Sequence, residues 1–290
     1  FSGCENLVHN ASDAPDLSDV KSMHAMFSGA TLFNSNIIEW DVSNVTDMSD
    51  LFNGASSFNS DLSSWNVSSV TDMSNMFREA INFNEFIYTW DVDNVKDMSA
   101  MFLGAESFNE EISIWNVESV ENMEGMFLNA INFNRRIPNW DVSNVKKMRS
   151  MFKGANSFNQ DISNWNVSSV TDMAMMFSYS KRFNQDISNW DVSSAIYIQS
   201  MFDQASSFNQ DLSQWDLSSV RYMNYMFVGV PLSTKNYDAL LQGWSGQILP
   251  NGVIFPVNLS KYSPSSESAR NVLINTYDWR VYDAGLVTQE

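Results

Sequence analysis

Read along its hydrophobic and polar positions, the chain repeats every 25 residues. Trp stands at 40, 65, 90, 115, 140, 165, 190 and 215 with no insertion or deletion between them. The same register carries Phe-Asn (Phe33-Asn34 through Phe208-Asn209), an Ile or Leu (Ile37 through Leu212), Val42 through Leu217, Val45 through Val220 and Met48 through Met223. Phe27 through Phe227 follow it too, and one repeat departs, with Ala195 and Ile198 in place of Val and Met. A fixed period of this length is the signature of a repeat array, in which one unit cannot bury its apolar face alone.

Within a unit, Trp40-Asp41-Val42 alternates apolar and polar, which predicts a short strand with Trp and Val on one side. Met48, Leu51, Phe52 and Ala55 fall at i, i+3, i+4 and i+7, which predicts a short helix, with Thr46 as its cap, Asp47 in its first turn and Gly54 closing it. The expected fold is therefore an α/β repeat solenoid, leucine-rich-repeat-like, with one short strand and one short helix per 25-residue rung. Trp-Asp-Val and Trp-Asn-Val alternate over most of the array, so a 50-residue doublet was the unit of duplication.

The pattern sets the expected organisation: a degenerate N-terminal rung over 1–30, eight repeats over 31–230, and a capping element over 231–290. All 17 Met lie at or before Met226, whereas four of the six Pro lie between Pro231 and Pro264. In the last segment the pattern predicts helices at 237–244 and 265–277 and strands at 252–257 and 279–282, an α/β C-terminal cap over the last apolar rung.

Composition narrows the chemistry. Of 290 residues, 34 are acidic and 16 basic, a net charge of −18 that disfavours nucleic acid and anionic lipid. Cys4 is the one cysteine, and His9 and His24 are the only histidines, so Ser-His-Asp, Cys-His and His-metal sites are excluded beyond Met26. No apolar run approaches the ~20 residues of a membrane helix, so no membrane insertion by this segment is expected. The chain begins at Phe1 without an initiator Met, which suggests a piece of something longer.

Units such as Phe158-Asn-Gln-Asp-Ile-Ser-Asn-Trp165-Asn-Val-Ser-Ser-Val-Thr-Asp-Met173 resemble the 25-residue repeats of BspA-type surface proteins of mycoplasmas, Bacteroidetes and other bacteria. The tail from Leu232 to Trp244, with Tyr277-Asp-Trp279, is similar to the segment that ends such arrays. The resemblance implies a secreted or cell-surface module for adhesion or ligand binding, facing a host or neighbouring-cell surface protein or glycan. It supplies no catalytic residue.

Four groups of residues stand out. The aromatic and Met columns fit a stacked core better than a sugar platform or a soft-metal site. The Asn of Phe-Asn is expected to satisfy loop backbone groups in register. The basic stretch Arg135, Arg136, Lys146, Lys147, Arg149 and Lys153 lies one period after Glu110, Glu111, Glu121 and Glu124, which predicts rung-to-rung ion pairs rather than an anion site. The outward column Asp41, Asn66, Asp91, Asn116, Asp141, Asn166, Asp191 and Asp216 is the leading ligand-binding candidate, unless carboxylates alternate with Asn merely to avoid like-charge stacking. Asp91, Asp93 and Glu118 form a candidate weak Ca²⁺ site within it, since hard oxygens suit that ion. Phe86 and Tyr88 replace residues that are otherwise polar or small and make a candidate hot spot. The expected function is non-enzymatic. The alternatives are a polysaccharide lyase or hydrolase using a carboxylate cluster, a purely structural stalk, and an ice-binding array, for which no threonine column exists.

Overall fold

The computed structural model describes residues 1–5, 7 and 13–288, and His9 lies outside them. Consecutive repeats lie against one another in parallel. Single-residue bridges join Ser22 to Asp47, Asp47 to Asp72, and onward at the same interval to Tyr197 and Tyr222.

The expected strand and helix of each repeat are absent among the described residues; every repeat is a succession of tight turns. Over 48–55 the amides divide. Met48, Asp50, Phe52 and Gly54 donate their N–H groups to the carbonyls of Asp72, Ser74, Met76 and Arg78 in the next repeat, at 3.0, 2.8, 2.8 and 2.7 Å. The intervening N–H groups of Leu51, Asn53 and Ala55 close turns onto Met48, Asp50 and Phe52. A helix would keep all these donors to itself. Here half of them bind the neighbouring repeat, and the i, i+3, i+4, i+7 apolar spacing comes from turns that bring the same four side chains inward. Asp50 and Gly54 lie at φ 57° and 73°, the third position of two such turns, where a type II turn requires positive φ. Gly54 thus closes a turn and not a helix, and Thr46 Oγ1 donates to Lys21 O in the preceding repeat instead of capping.

The same turn chemistry replaces the strand at 40–42. Asp41 Oδ1 accepts the N–H of Ser43, and Asp47 Oδ1 that of Ser49, both at 3.0 Å. These Asx turns bend the chain where period 2 predicts extension.

Inside, the columns stack. Phe27 through Phe227 follow one another with ring centroids 5.6 Å apart at Phe27–Phe52 and 5.7 Å at Phe77–Phe102, their planes nearly parallel. Phe33 through Phe208 run alongside, and within a repeat the two rings approach to 3.9 Å at Phe52–Phe58. Trp40 through Trp215 are 0–6% exposed, which places them in the core and removes them as a binding platform. Each indole from Trp65 to Trp215 donates Nε1–H to the carbonyl 28 residues earlier, as Trp65 does to Ile37 O at 3.1 Å. The Asn column forms a second ladder. Asn59 N–H donates to Asn34 Oδ1 at 2.8 Å, and the contact repeats through Asn209 N–H on Asn184 Oδ1.

At the N-terminal end Leu17, Met23, Phe27 and Ala30 are buried in the columns, and Phe1 stacks on Phe27 at 5.9 Å. Beyond Val230 the chain changes. Helix α1 spans Thr234–Ser245, strand β1 Ile254–Val257, helix α2 Glu267–Tyr277 after a 3₁₀ turn at Pro264–Ser266, and strand β2 Arg280–Asp283. The strands pair in parallel, Ile254 opposite Arg280.

This segment takes over each ladder where the repeats stop. Ser233 N–H donates to Asn209 Oδ1 at 2.8 Å, Trp244 Nε1–H to Leu212 O at 3.0 Å, and Tyr225 N–H to Ile254 O at 3.1 Å. Phe255 meets Phe227 edge-on at 5.9 Å and 87°, which ends the parallel stack. Behind it Arg270 Nε reaches Asp283 at 2.6 Å, and the Tyr237 hydroxyl donates to the same carboxylate. Burial, with Asp283 beside it, holds the Tyr237 hydroxyl far above the usual phenol range.

Candidate functional site

All eight members of the column from Asp41 to Asp216 are exposed. Each is also engaged locally, because its Oδ1 accepts the N–H two residues on. Asp41 takes Ser43, Asn66 takes Ser68, Asp91 takes Asp93, Asn116 takes Glu118 and Asp141 takes Ser143, at 3.0 to 3.2 Å. Asn166, Asp191 and Asp216 do the same with Ser168, Ser193 and Ser218. Asp and Asn serve this turn equally well, which accounts for their alternation. The Ser43 hydroxyl and then its N–H hold the Asp41 carboxyl below its ordinary value, and Ser143 and Ser193 do so for Asp141 and Asp191. No backbone ladder joins residues 39–43 of neighbouring repeats, so the expected strand-held face is replaced by a row of turns. A shallow groove of about 260 Å³ remains beside Asp41, lined by Glu39, Trp40, Ser64 and Asn66 among others.

Asp91, Asp93 and Glu118 do not assemble: among the described residues no three His, Cys, Asp or Glu side chains are placed to hold a metal. The reason is local. One Asp91 oxygen faces the N–H of Asp93, and Asn116 turns on the N–H of Glu118, so these residues build two separate turns.

The ion pairs expected from the basic stretch are likewise not formed. Glu110 Oε1 accepts Asn84 Nδ2 at 3.0 Å and Glu111 Oε1 the N–H of Ser113 at 3.0 Å, so both carboxylates are engaged elsewhere. Arg135 Nε donates to Asn109 O, and Arg149 pairs forward with Asp172 at 3.6 Å.

Phe86 and Tyr88 come together. Their ring centroids are 5.8 Å apart and tilted by 40°, and Phe86 is 46% exposed. Ile114 of the next repeat is exposed as well. Beside them burial and the charges of Asp61 and Glu110 raise the carboxyl of Glu85, whose oxygen accepts Asn59 Nδ2.

A second exposed aromatic feature lies on the bridge column. Tyr197 and Tyr222, neighbours in the bridge column, stack at 4.9 Å and 6°. Their spacing of one period is legible once the bridge column is known. Among the described residues no helix is long and apolar enough to cross a membrane.

A family model described as "Mycoplasma protein of unknown function, DUF285" matches residues 1–92, 62–148, 84–170 and 132–244. The staggered matches are those of a repeat protein. A comparison with curated proteins finds no match.

Proposed function

The chain belongs to that family of repeat proteins, and from this premise we propose that it is a BspA-type, leucine-rich-repeat-like solenoid acting as a non-enzymatic adhesion or ligand-binding module of a secreted or cell-surface bacterial protein. The reading takes 31–230 as the eight-repeat array, 1–30 as its first rung and 231–290 as its cap. Equal repeats leave no inserted loop to wall a catalytic cleft, while they hold outward side chains in a fixed pattern.

The observation that carries the reading is the Phe86–Tyr88 pair. An exposed Phe86 paired with a half-buried Tyr88, between the polar residues Asp61 and Ser63 of one neighbouring repeat and Glu111 and Ser113 of the other, is the kind of aromatic anchor that dominates a protein interface. They offer an apolar centre beside the acidic Glu85, suited to a surface protein or glycan of a host or neighbouring cell that presents apolar and basic groups. The Asp41-to-Asp216 column frames this contact by keeping the turns rigid.

The test is a protein and glycan array, read with and without Ca²⁺, followed by cell attachment. Phe86→Ala with Tyr88→Ala is expected to weaken the strongest interaction about tenfold or more. Attachment unchanged by the double substitution refutes the assignment.

A further inference from the structure

The basic residues that fail to pair lead to a different surface. Lys96, Glu121 and Lys146 occupy one column in three successive repeats. Their backbones are directly joined, Glu121 N–H donating to Lys96 O at 2.9 Å and Lys146 N–H to Glu121 O at 2.8 Å. Two adjoining grooves, of about 440 and 310 Å³, are both lined by these three side chains. Ser119 and Asn144 complete the first groove, and Asp97, Asn122 and Lys147 the second. All three lysines are exposed, and among the described residues none has an ion pair or hydrogen bond at Nζ. Asn144 commits its amide nitrogen to Glu118 O and keeps its oxygen free to accept.

Unpaired ammonium groups concentrated in one groove of a chain with net charge −18 mark a place for an anion. The spacing restricts which anion. At about 4.8 Å per parallel-bridged repeat, Lys96 and Lys146 arise about 10 Å apart, with a carboxylate midway. We propose that this groove binds an acidic polysaccharide carrying its negative charge on every second sugar. Successive acidic sugars pair with Lys96 and Lys146, and the neutral sugar between them donates hydroxyls to Glu121. Ser119 and Asn144 take further hydroxyls. A uniform polyanion is rejected, because it sets one of its charges over Glu121. Nucleic acid, with a charge per about 1.7 Å of duplex, also meets the acidic field of the whole molecule.

The site is independent of the Phe86–Tyr88 surface, so the Phe86→Ala/Tyr88→Ala variant is expected to retain it. The intact chain is titrated by calorimetry with an oligosaccharide of glucuronate alternating with N-acetylglucosamine, and with an oligogalacturonate of equal length. The alternating oligosaccharide is expected to bind at least about tenfold more tightly, and more weakly as salt rises. Lys96→Gln with Lys146→Gln is expected to weaken it about tenfold or more at unchanged melting temperature, and Glu121→Gln to narrow the gap between the two ligands. No binding of the alternating oligosaccharide, equal binding of the two, or indifference to the lysine substitutions overturns the proposal. A phosphopeptide that binds where the oligosaccharide does not overturns it as well.

Discussion

Substituting Asn159 by Ala tests whether the side-chain ladder holds neighbouring repeats in register. Asn159 Oδ1 accepts two hydrogen bonds from the following repeat, the N–H of Asn184 at 2.9 Å and Gln185 Nε2 at 3.0 Å. Asn159 also donates its own N–H to Asn134 Oδ1 at 3.0 Å, a bond that alanine keeps. The loss is therefore one-sided. Two neutral hydrogen bonds at about 0.5–1.5 kcal/mol each give about 1–3 kcal/mol. Water reaches these half-buried groups, and Gln185 retains the Asn159 carbonyl, so the lower half of that range is expected. In amide exchange this becomes about a tenfold faster opening at Asn184, since about 1.4 kcal/mol is a factor of ten. Asn159 itself, on the other side, should keep its protection. Repeats two periods away should not change, because each repeat touches only its neighbours. Asn159→Asp, which preserves the acceptor, should restore protection at Asn184. Equal acceleration on both sides, or none at Asn184, refutes the idea that this acceptor couples the repeats.

Two further outcomes follow from the ladders and turns. Asp41, Asp141 and Asp191 have folded-state pKa values held below the ordinary 3.8, so their contribution is present above that value and lost as the pH falls through the lower folded-state values; a melting temperature that declines below about pH 4, less steeply in Asp141→Asn/Asp191→Asn, checks this. Trp244→Ala removes a buried aromatic and its bond to Leu212 O, at a cost of about 3–5 kcal/mol, and should expose the last repeat first, as measured by exchange at Tyr225 and Val230 before Phe52.

The positions of the columns were legible because identical side chains at one period can be buried only by stacking. Phe27 through Phe227, the Trp series and the Asn ladder are placed by that logic alone. The C-terminal segment was legible for a different reason. There ordinary rules apply, and α1, β1, α2 and β2 lie on the segments where the pattern placed two helices and two strands. What the sequence misled on was the path of the chain between columns. The spacing of Met48, Leu51, Phe52 and Ala55 is helical, yet the residue at its middle in each repeat is at positive φ; Asp50, Asn75, Gly125 and Ser150 there are poor helix formers and give a warning, whereas Ala100 and Met175 at the same place give none. Likewise Asp41-x-Ser43, Asn66-x-Ser68, Asp47-x-Ser49 and Asp61-x-Ser63 spell Asx turns, which period 2 cannot distinguish from a strand.

The same turns decide what the outward carboxylates can do. If residues 39–43 were strands, their outward carboxylates would be free and evenly spaced. In turns each one answers first to an N–H two residues ahead. Offset by one period is likewise insufficient for an ion pair, since Glu110 and Glu111 have nearer donors in Asn84 and Ser113. The residues left for recognition are those whose polar atoms or rings the repeat does not use. Lys96 and Lys146 keep free ammonium groups because the carboxylate between them, Glu121, lies within 4.0 Å of neither, and Phe86 and Tyr88 stay at the surface because their columns have no apolar neighbour to cover them. In a molecule this regular, function is to be sought where one repeat differs from the next, because whatever all repeats share is already engaged in holding them together.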